Sequence, residues 1–508
     1  MSISSDHVSL SPKQLWWFFS QYSPAGTPAR DGIMPKNSPI RIQVVSPMLK
    51  AVSNMHSYLE EIVGHDHTKV DPQDAWLPIT ESRNGNKYYA AFHTLSTGIV
   101  FHALLLPFAF TSLGWIWGIT CLILGFTWQM YTIWLLIQLH ETENGTRYSR
   151  YLRLSMAAFG EKLGKLLSLF PIMYLSGGTC VALIMFGSGS LKKFYETLCG
   201  PTSNPLSTVE WYMVFTSCAV LMAQLPNLNS LAFVSLIGSV SGVGYCSIIW
   251  VLSVCKDRPM NVSYGSSRAE SEVFRVCEVV HAIGIIALAF RGHNLVLEIQ
   301  GTMPSNIKEP SKIAMWQGVK FAYVIIGMCL FPIAIAGYWA YGNLIIPTTN
   351  EGILEIMYKY HSHNTSRFVL CLTSLLVVIH CLSSFQVYAM PVFDNLEFRY
   401  TSCKERPCPR WLRSVIRAFF GCLTVFIAFT IPFLPKLAGL LGGIAMPITY
   451  VYPCFMWIKM KKPQQFSLMW WLNWVLGCVG ILVSILVVTG AIWYIVIQGI
   501  PVHFFRPQ

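Results

Sequence analysis

Residues 88–140 read YYAAFHTLSTGIVFHALLLPFAFTSLGWIWGITCLILGFTWQMYTIWLLIQLH, and this stretch contains no Asp, Glu, Lys or Arg. It is long enough for two membrane spans, because a helix needs about 20 apolar residues to cross ~30 Å of hydrocarbon. Gly114, near the middle, marks the expected division between the two spans. The stretch therefore predicts two consecutive transmembrane helices and indicates the class of the whole chain.

The composition of the full chain agrees with this interpretation. Of the 508 residues, 53% are hydrophobic and only 12% are charged, which is about half of the roughly 25% typical of soluble domains. The mean hydropathy is +0.48 and the pI is about 9.0, but the basic residues are scattered between apolar blocks rather than gathered on one face. These values argue against a soluble enzyme and a nucleic-acid-binding protein, and they predict an all-α polytopic membrane protein.

The apolar blocks divide residues 88–497 into eleven predicted spans. Most of the 36 Lys and Arg residues lie in the N-terminal segment and in alternate loops, which predicts a cytosolic N-terminus and an extracellular C-terminus. Glycosylation sequons begin at Asn261 and Asn364, in loops on the predicted outer side. The predicted spans are 88–110, 115–139, 166–190, 210–226, 230–254, 275–297, 314–340, 367–390, 412–432, 436–458 and 470–497.

The two ends of the chain differ in composition from the predicted membrane-spanning region, residues 88–497. Residues 1–87 are rich in Pro, Ser and Asn and predict a cytosolic, mostly disordered tail. Apolar residues near 48–63 recur at helical spacing, which predicts a short amphipathic helix that lies on the membrane or on the helical domain, or forms only transiently. Residues 498–508 are predicted to form a short extracellular C-terminus. The 15 cysteines predict free thiols, with one disulfide among Cys199, Cys255 and Cys277 as the alternative.

The first predicted span carries an unusual number of polar groups. The segment FHTLSTGIVFHALLLP, residues 92–107, holds two histidines, two threonines, a serine, a glycine and a proline. In a bilayer the backbone must satisfy its own hydrogen bonds, and a broken helix is tolerated only where it lines a cavity. This span is therefore a candidate for an interrupted helix at a binding site.

The sixth predicted span contains the run FRGHN, residues 290–294. An arginine in the middle of a bilayer costs about 2.5 to 3.5 kcal/mol on insertion scales. Arg291 therefore needs an interior partner or a watery cavity, or its side chain must reach along the helix to an interface. The first two alternatives make this span the second half of a binding site.

The titratable groups at depth are histidines. No Asp or Glu lies near the middle of any predicted span, so a proton-coupled step at depth would fall to side chains that titrate near physiological pH. For each histidine alone, the alternative is a hydrogen-bonded structural role. The candidates are His93, His102, His293 and His380.

No motif indicates catalysis or a resident metal. The sequence contains no Walker loop, nucleophile elbow or zincin helix, so we expect no catalytic residue and no enzyme activity. The pairs His65/His67 and His361/His363 have a spacing that metals accept, but solvated loop histidines are the better interpretation. We expect no bound metal.

Several motifs occur in the order found in one known family. They are AFH (91–93), LP (106–107), LGW (113–115), LPNLNS (225–230), GHNLVLEIQ (292–300), GYW (337–339), MPVFD (390–394) and YPCFMW (452–457). Through these motifs the chain resembles the plant lysine/histidine-transporter-like branch of the amino acid/auxin permeases, over roughly residues 80–495.

The resemblance implies a fold and a function. The fold is a LeuT-type scaffold of two inverted five-span repeats plus one further span, with the substrate at breaks in spans one and six. The implied function is import of amino acids with protons by alternating access at the plasma membrane, driven by the proton gradient and without a cofactor. The implied partners are an amino acid, protons and the lipid bilayer. The substrate-binding set carried over from the two breaks is Thr97, Gly98, Val100, Phe101, His102, Phe290, Arg291 and Gly292.

The chain departs from the family pattern at the breaks themselves. Relatives usually carry Gly-x-Gly where this chain has Val100, Phe101 and His102, and a small residue where it has Arg291. They also usually carry an acidic residue at the position of Ile285. One hypothesis is that Arg291 anchors the substrate carboxylate while His102 acts in gating or proton release. The alternatives are a tethered cation that braces spans one and eight, and a non-transporting amino-acid sensor on the same fold.

Overall fold

The computed structural model describes residues 72–143, 145–200, 206–225, 227–264, 271–306, 308–345 and 352–498. Within these ranges the regular structure is helical, preceded by a 3₁₀ turn at Pro72–Trp76. The helices are α1 (Lys87–Gly98), α2 (His102–Leu139), α3 (Tyr151–Phe159), α4 (Glu161–Cys199), α5 (Thr208–Met222), α6 (Ala232–Cys255), α7 (Glu272–Ala289), α8 (His293–Gly301), α9 (Ser311–Tyr341), α10 (Ile353–His361), α11 (Arg367–Lys404), α12 (Arg410–Thr430), α13 (Ala438–Lys461) and α14 (Leu468–Gln498).

The all-α membrane class predicted from the sequence is confirmed. In the part of the chain that the structure describes, nine helices are long and apolar enough to cross a membrane, and α5 is a shorter apolar helix. The count of eleven spans stays a prediction. Gly114 divides α2 where the sequence predicts a boundary, because its φ of 69° interrupts the helical backbone. Only glycine adopts such an angle readily.

Small residues bring pairs of helices into close contact. A Cβ atom built on Gly442 of α13 would lie 1.8 Å from the carbonyl oxygen of Gly284 on α7. A Cβ atom on Gly238 of α6 would lie 2.2 Å from the hydroxyl of Ser383 on α11. Glycines at these crossings allow the backbones to approach, and the two contacts hold α7 and α11 next to the site.

Several predictions concern residues at the ends of the chain. The described residues begin at Pro72, so the predicted tail as far as residue 71, with the predicted helix near 48–63, lies outside them, as does the C-terminal segment from residue 499. Residues 72–86, which the sequence assigns to the tail, pack against the helices, with Leu77 and Ile79 buried. Cys199, Cys255 and Cys277 are free thiols.

Candidate substrate site at the two helix breaks

The first helix break separates α1 from α2. Helix α1 ends at Gly98, the backbone of Ile99 is non-helical (φ −105°, ψ 83°), and α2 begins at His102. Gly98 permits a close approach of α9 here, because a Cβ atom at this position would lie 2.4 Å from Cδ1 of Ile326. The interruption lies within the first predicted span, as its glycine and polar content indicates.

The second break separates α7 from α8. Helix α7 ends at Ala289, Phe290 leaves the helical conformation (φ −104°, ψ 39°), and α8 begins at His293. Gly292 has a φ of 128°, which a residue with a Cβ atom rarely adopts. This glycine lets the chain turn between the two half helices while Arg291 stays inside the protein.

The two breaks meet through Arg291 and His102. Nε of Arg291 donates a hydrogen bond to Nε2 of His102 over 2.8 Å, and the guanidinium lies over the Phe101 ring, 5.5 Å from its centroid. Both side chains are buried. Because a guanidinium only donates, His102 must accept at Nε2 and carry its proton on Nδ1.

Arg291 keeps hydrogen-bonding capacity in this arrangement. Its Nη2 atom is buried without a partner among the residues that the structure describes. Helices α2 and α8 both begin at the breaks, so the positive ends of their dipoles lie there. Helix N-termini favour negative charge. A buried cation with a free donor between two such ends is suited to an anionic group.

Side chains from another helix already donate hydrogen bonds to the carbonyls at the end of α1. The Tyr388 hydroxyl donates to the carbonyl of Thr97 over 2.9 Å, and the Ser384 hydroxyl donates to that of Ser96 over 2.7 Å. Both donors lie on α11, one turn apart. Broken helices in membranes need such substitutes for the lost backbone hydrogen bonds. The sequence predicts Thr97 at this site but indicates neither of the two donors.

Aromatic rings surround the break in α1 and α2. Phe101 stacks on Phe186 of α4 with ring centroids 4.6 Å apart. Phe290, on the other break, is fully buried and contacts Phe126 edge to face at 5.9 Å. Val100 is also buried. Val100, Phe101 and Phe290, three of the candidate substrate-binding residues, therefore add buried apolar side chains at the two breaks.

The four candidate histidines lie in different surroundings rather than in one chain. His93 shares a 2.8 Å hydrogen bond with Ser235 of α6, and His293 shares one of 2.8 Å with Thr132 of α2. His380 bonds through both ring nitrogens, to the carbonyl of Gly238 (2.7 Å) and to Ser384 (3.2 Å). Of the four imidazoles, that of His102 bonds to another candidate site residue of the described chain, Arg291, whereas His93 accepts a hydrogen bond from the Thr97 hydroxyl through its backbone carbonyl. The assignment of all four to proton coupling stays a prediction.

An ion-pair network away from the breaks was not predicted. Arg150, which precedes α3, donates through Nη2 to Asp394 of α11 (3.1 Å) and through Nη1 to Asp74 (2.8 Å). Arg153 lies 3.3 Å from Asp74. Burial alone would lower the pKa of the Arg150 guanidinium, but the two carboxylates raise it above its ordinary value. The network joins residues 72–86 to α3 and α11.

The fold defines the class of protein. Two interrupted helices that meet in the interior of a helical membrane bundle are the arrangement of a LeuT-type transporter. The chain is similar to the substrate-bound outward-open state of a Na⁺-coupled sialic acid symporter, with a TM-score of 0.53, 13% identity, and coverage of 87% of this chain and 95% of that one. It is also similar to a nucleobase-cation-symport-1 family transporter in a closed conformation, with a TM-score of 0.54 and 11% identity over 85% and 97%. At these identities the likeness establishes the fold alone.

The sequence comparisons identify the family. Residues 83–496 match the model described as "transmembrane amino acid transporter protein". The chain is 52% identical to lysine histidine transporter-like 8 of Arabidopsis thaliana, over 91% of this chain and 88% of that protein. It is 44% identical to lysine histidine transporter-like 7 of the same plant, over 86% and 90%.

The chain belongs to the transmembrane amino acid transporter family, in its plant lysine histidine transporter-like branch. It is a multi-pass membrane transporter and not an enzyme, as the sequence analysis expects.

Proposed function

We propose that this protein imports amino acids together with protons across the plasma membrane, with a cytosolic N-terminus and an extracellular C-terminus. Transport proceeds by alternating access around the breaks between α1 and α2 and between α7 and α8. The contact between Arg291 and His102, 2.8 Å long and buried between the two breaks, carries this proposal. The proton gradient is the only energy source that the proposal requires.

Arg291 binds the substrate carboxylate in this mechanism. Its free Nη2 donor lies in the interior, and a carboxylate there would form the charge-assisted pair that a buried guanidinium otherwise lacks. The Phe101 ring covers one side of the guanidinium. The α-carboxyl group, which all amino acids share, is the part of the substrate that this residue recognises.

His102 couples the substrate to the proton. While Nε of Arg291 donates to Nε2 of His102, protonation of Nε2, which would be the second proton on the imidazole, is excluded by the donor and opposed by the positive charge. A substrate carboxylate that takes over the guanidinium neutralises the charge and frees Nε2. The imidazole then accepts a proton, so that proton and carboxylate enter together. His93, His293 and His380 remain candidates for relay or gating.

An uptake screen tests this proposal. Uptake of each of the twenty radiolabelled amino acids is measured in oocytes at pH 5.5 and 7.5, for the unaltered chain, Arg291→Ala and Arg291→Lys. We expect accumulation that is faster at pH 5.5, an increase in KM of at least tenfold for Arg291→Ala, and partial recovery in Arg291→Lys. Unchanged uptake kinetics in Arg291→Ala would refute the anchoring role.

A sensor that binds an amino acid without carrying it is the second candidate. Val100, Phe101 and His102 stand where relatives usually carry Gly-x-Gly, and Phe101 stacks on Phe186 at the break, which favours binding without passage of a substrate. Equilibrium binding to purified protein, measured beside uptake, separates the two functions. Binding without accumulation at either pH would assign the chain to the sensor.

A further inference from the structure

The histidines at positions 361 and 363, at the end of α10, lie in unlike surroundings. The His363 side chain is exposed, as expected of a solvated loop histidine. His361 is only 2% exposed, which contradicts that interpretation. Neither of its ring nitrogens has a hydrogen-bond partner within the described ranges. No group of three metal-ligating side chains is found in the described part of the chain, so this pair does not form part of one.

His361 ends α10, and α10 packs on the first turns of α2. A Cβ atom on Gly352, just before α10, would lie 2.4 Å from the carbonyl oxygen of Leu104. A Cβ atom on Gly337 would lie 2.3 Å from Cδ1 of Ile353 and 2.7 Å from Cγ of Pro107. Since α2 begins at the first helix break, α10 covers the half helix that leads from the candidate site to one end of the bundle.

The end of the bundle that α10 covers is opposite to the end that contains residues 72–86. The amide of Gly85 donates to the carbonyl of Thr302, shortly before α9 begins. Helix α9 has 31 residues and therefore extends about 46 Å at 1.5 Å per residue. Helix α10 follows its far end, so the two ends of the bundle are covered by different segments.

Apolar side chains hold α10 in place. Ile353, Leu354 and Met357 are fully buried. The Tyr358 hydroxyl adds hydrogen bonds to the carbonyl of Leu370 (2.8 Å) and to the hydroxyl of Ser374 (2.6 Å) on α11. The imidazole of His361 lies against the Tyr341 ring, with centroids 5.6 Å apart. His361 and Tyr341 are therefore buried titratable groups next to this apolar surface.

We propose that His361 makes α10 a pH-sensitive lid, which stays docked while the imidazole is neutral and is released when the imidazole gains a proton. A protonated imidazole has two N–H donors, and both would be buried without an acceptor from the described residues. Burying such a charge without a partner is strongly unfavourable. As a lid over the path to the candidate site, α10 depends on the proposed function, but its pH response is a property of this contact alone.

The surrounding charges determine the direction of the effect. Burial lowers the pKa of the His361 imidazole, the positive charges of Lys256 and His363 lower it further, and Asp257 opposes them. Tyr341 faces it from α9. An exposed imidazole has a pKa of about 6.5. The docked lid is therefore fully stable above that pH and loses stability progressively as the pH falls below it.

Accessibility of position 357 tests the lid without any transport. Met357→Cys is introduced into the full-length chain, purified and placed in nanodiscs, where no gradient exists and both faces are accessible. Maleimide labelling is measured at pH 5.5 and 7.5, after subtraction of the signal from the parent chain with its native cysteines. Thiol reactivity itself falls with pH, so each rate is divided by that of the same variant with His361→Gln at the same pH.

We expect this ratio to rise at least threefold from pH 7.5 to pH 5.5. His363→Gln, the exposed neighbour, should leave the rise intact, and His361→Arg should label rapidly at both pH values. A ratio that does not change with pH overturns the proposal, as does an Arg variant that labels like the Gln variant. If Met357→Cys does not fold, Leu354→Cys supplies a second buried position. If the labelling ratio depends on pH but the protein shows no uptake, the lid is supported and the transport proposal is refuted.

Discussion

The two ends of the helical bundle are closed by different kinds of contact. At one end Arg150 joins Asp74 and Asp394 in a buried network of charges. At the other end α10 docks mainly through apolar side chains such as Leu354 and Met357. A buried charge that loses its partner reduces the stability of the protein more than a buried apolar side chain that is only truncated. We therefore expect the charged end to fail abruptly and the apolar end to loosen by degrees.

Removing the central charge should have the largest effect. Arg150→Met leaves two buried aspartates without their shared partner, which typically costs about 3–5 kcal/mol. We expect a large drop in the unfolding temperature in detergent and fast hydrogen exchange in residues 72–86. Arg153→Met is the matched control, because its side chain is 21% exposed, against 6% for Arg150. Adding Asp394→Asn to Arg150→Met should restore part of the stability. Equal stability of the two arginine variants would contradict the central role of Arg150.

Truncating the apolar end should have a smaller and more local effect. Met357→Ala removes a fully buried side chain from α10, and such truncations cost about 2–5 kcal/mol. Hydrogen exchange should speed up at least tenfold in residues 353–361 and stay unchanged in residues 72–86. Lys359→Ala, on the exposed side of the same helix, should change neither region. Faster exchange at both ends would show that the ends open as one unit.

Removing one hydroxyl from the apolar end should have a modest effect. Tyr358→Phe loses the hydrogen bonds to Leu370 and Ser374, and a typical hydrogen bond contributes about 0.5–1.5 kcal/mol net. We expect a few-fold increase in exchange of the α10 amides, measured beside Met357→Ala. A larger effect than that of Met357→Ala would mean that hydrogen bonds, rather than apolar contacts, hold this helix.

The ion pair of Glu141 with Arg147 should contribute no pH dependence in the range of the uptake assay. Burial would raise the pKa of the Glu141 carboxyl, but contacts with His140 and Arg147 lower it to about 2. Its stabilising contribution is present above the ordinary carboxyl pKa, about 4.3, and is lost only as the pH falls toward 2. The unfolding temperature of Glu141→Gln should therefore differ from that of the parent by the same amount at pH 5.5 and 7.5.

The sequence predicts the breaks better than the ends. Glycine, arginine and histidine within apolar spans indicate both interruptions, because such residues are costly in a continuous lipid-facing helix. The partners of Arg150 lie 76 and 244 residues away along the chain, and no local pattern connects them. For the same reason the sequence names Thr97 but not Tyr388, 291 positions further on. The sequence does not predict the burial of His361, because two histidines one residue apart between predicted spans are equally compatible with a solvated loop.

The two hydroxyls that cover the end of α1 have a consequence for substrate orientation. Ser384 and Tyr388 project from the same helix toward consecutive carbonyls, those of Ser96 and Thr97. A pivot of α11 against α1 would withdraw both donors in one movement and leave two electron-rich oxygens side by side. In the proposed mechanism an ammonium group would gain these two acceptors in that tilted arrangement, so affinity for the amino end of a substrate would depend on a helix angle.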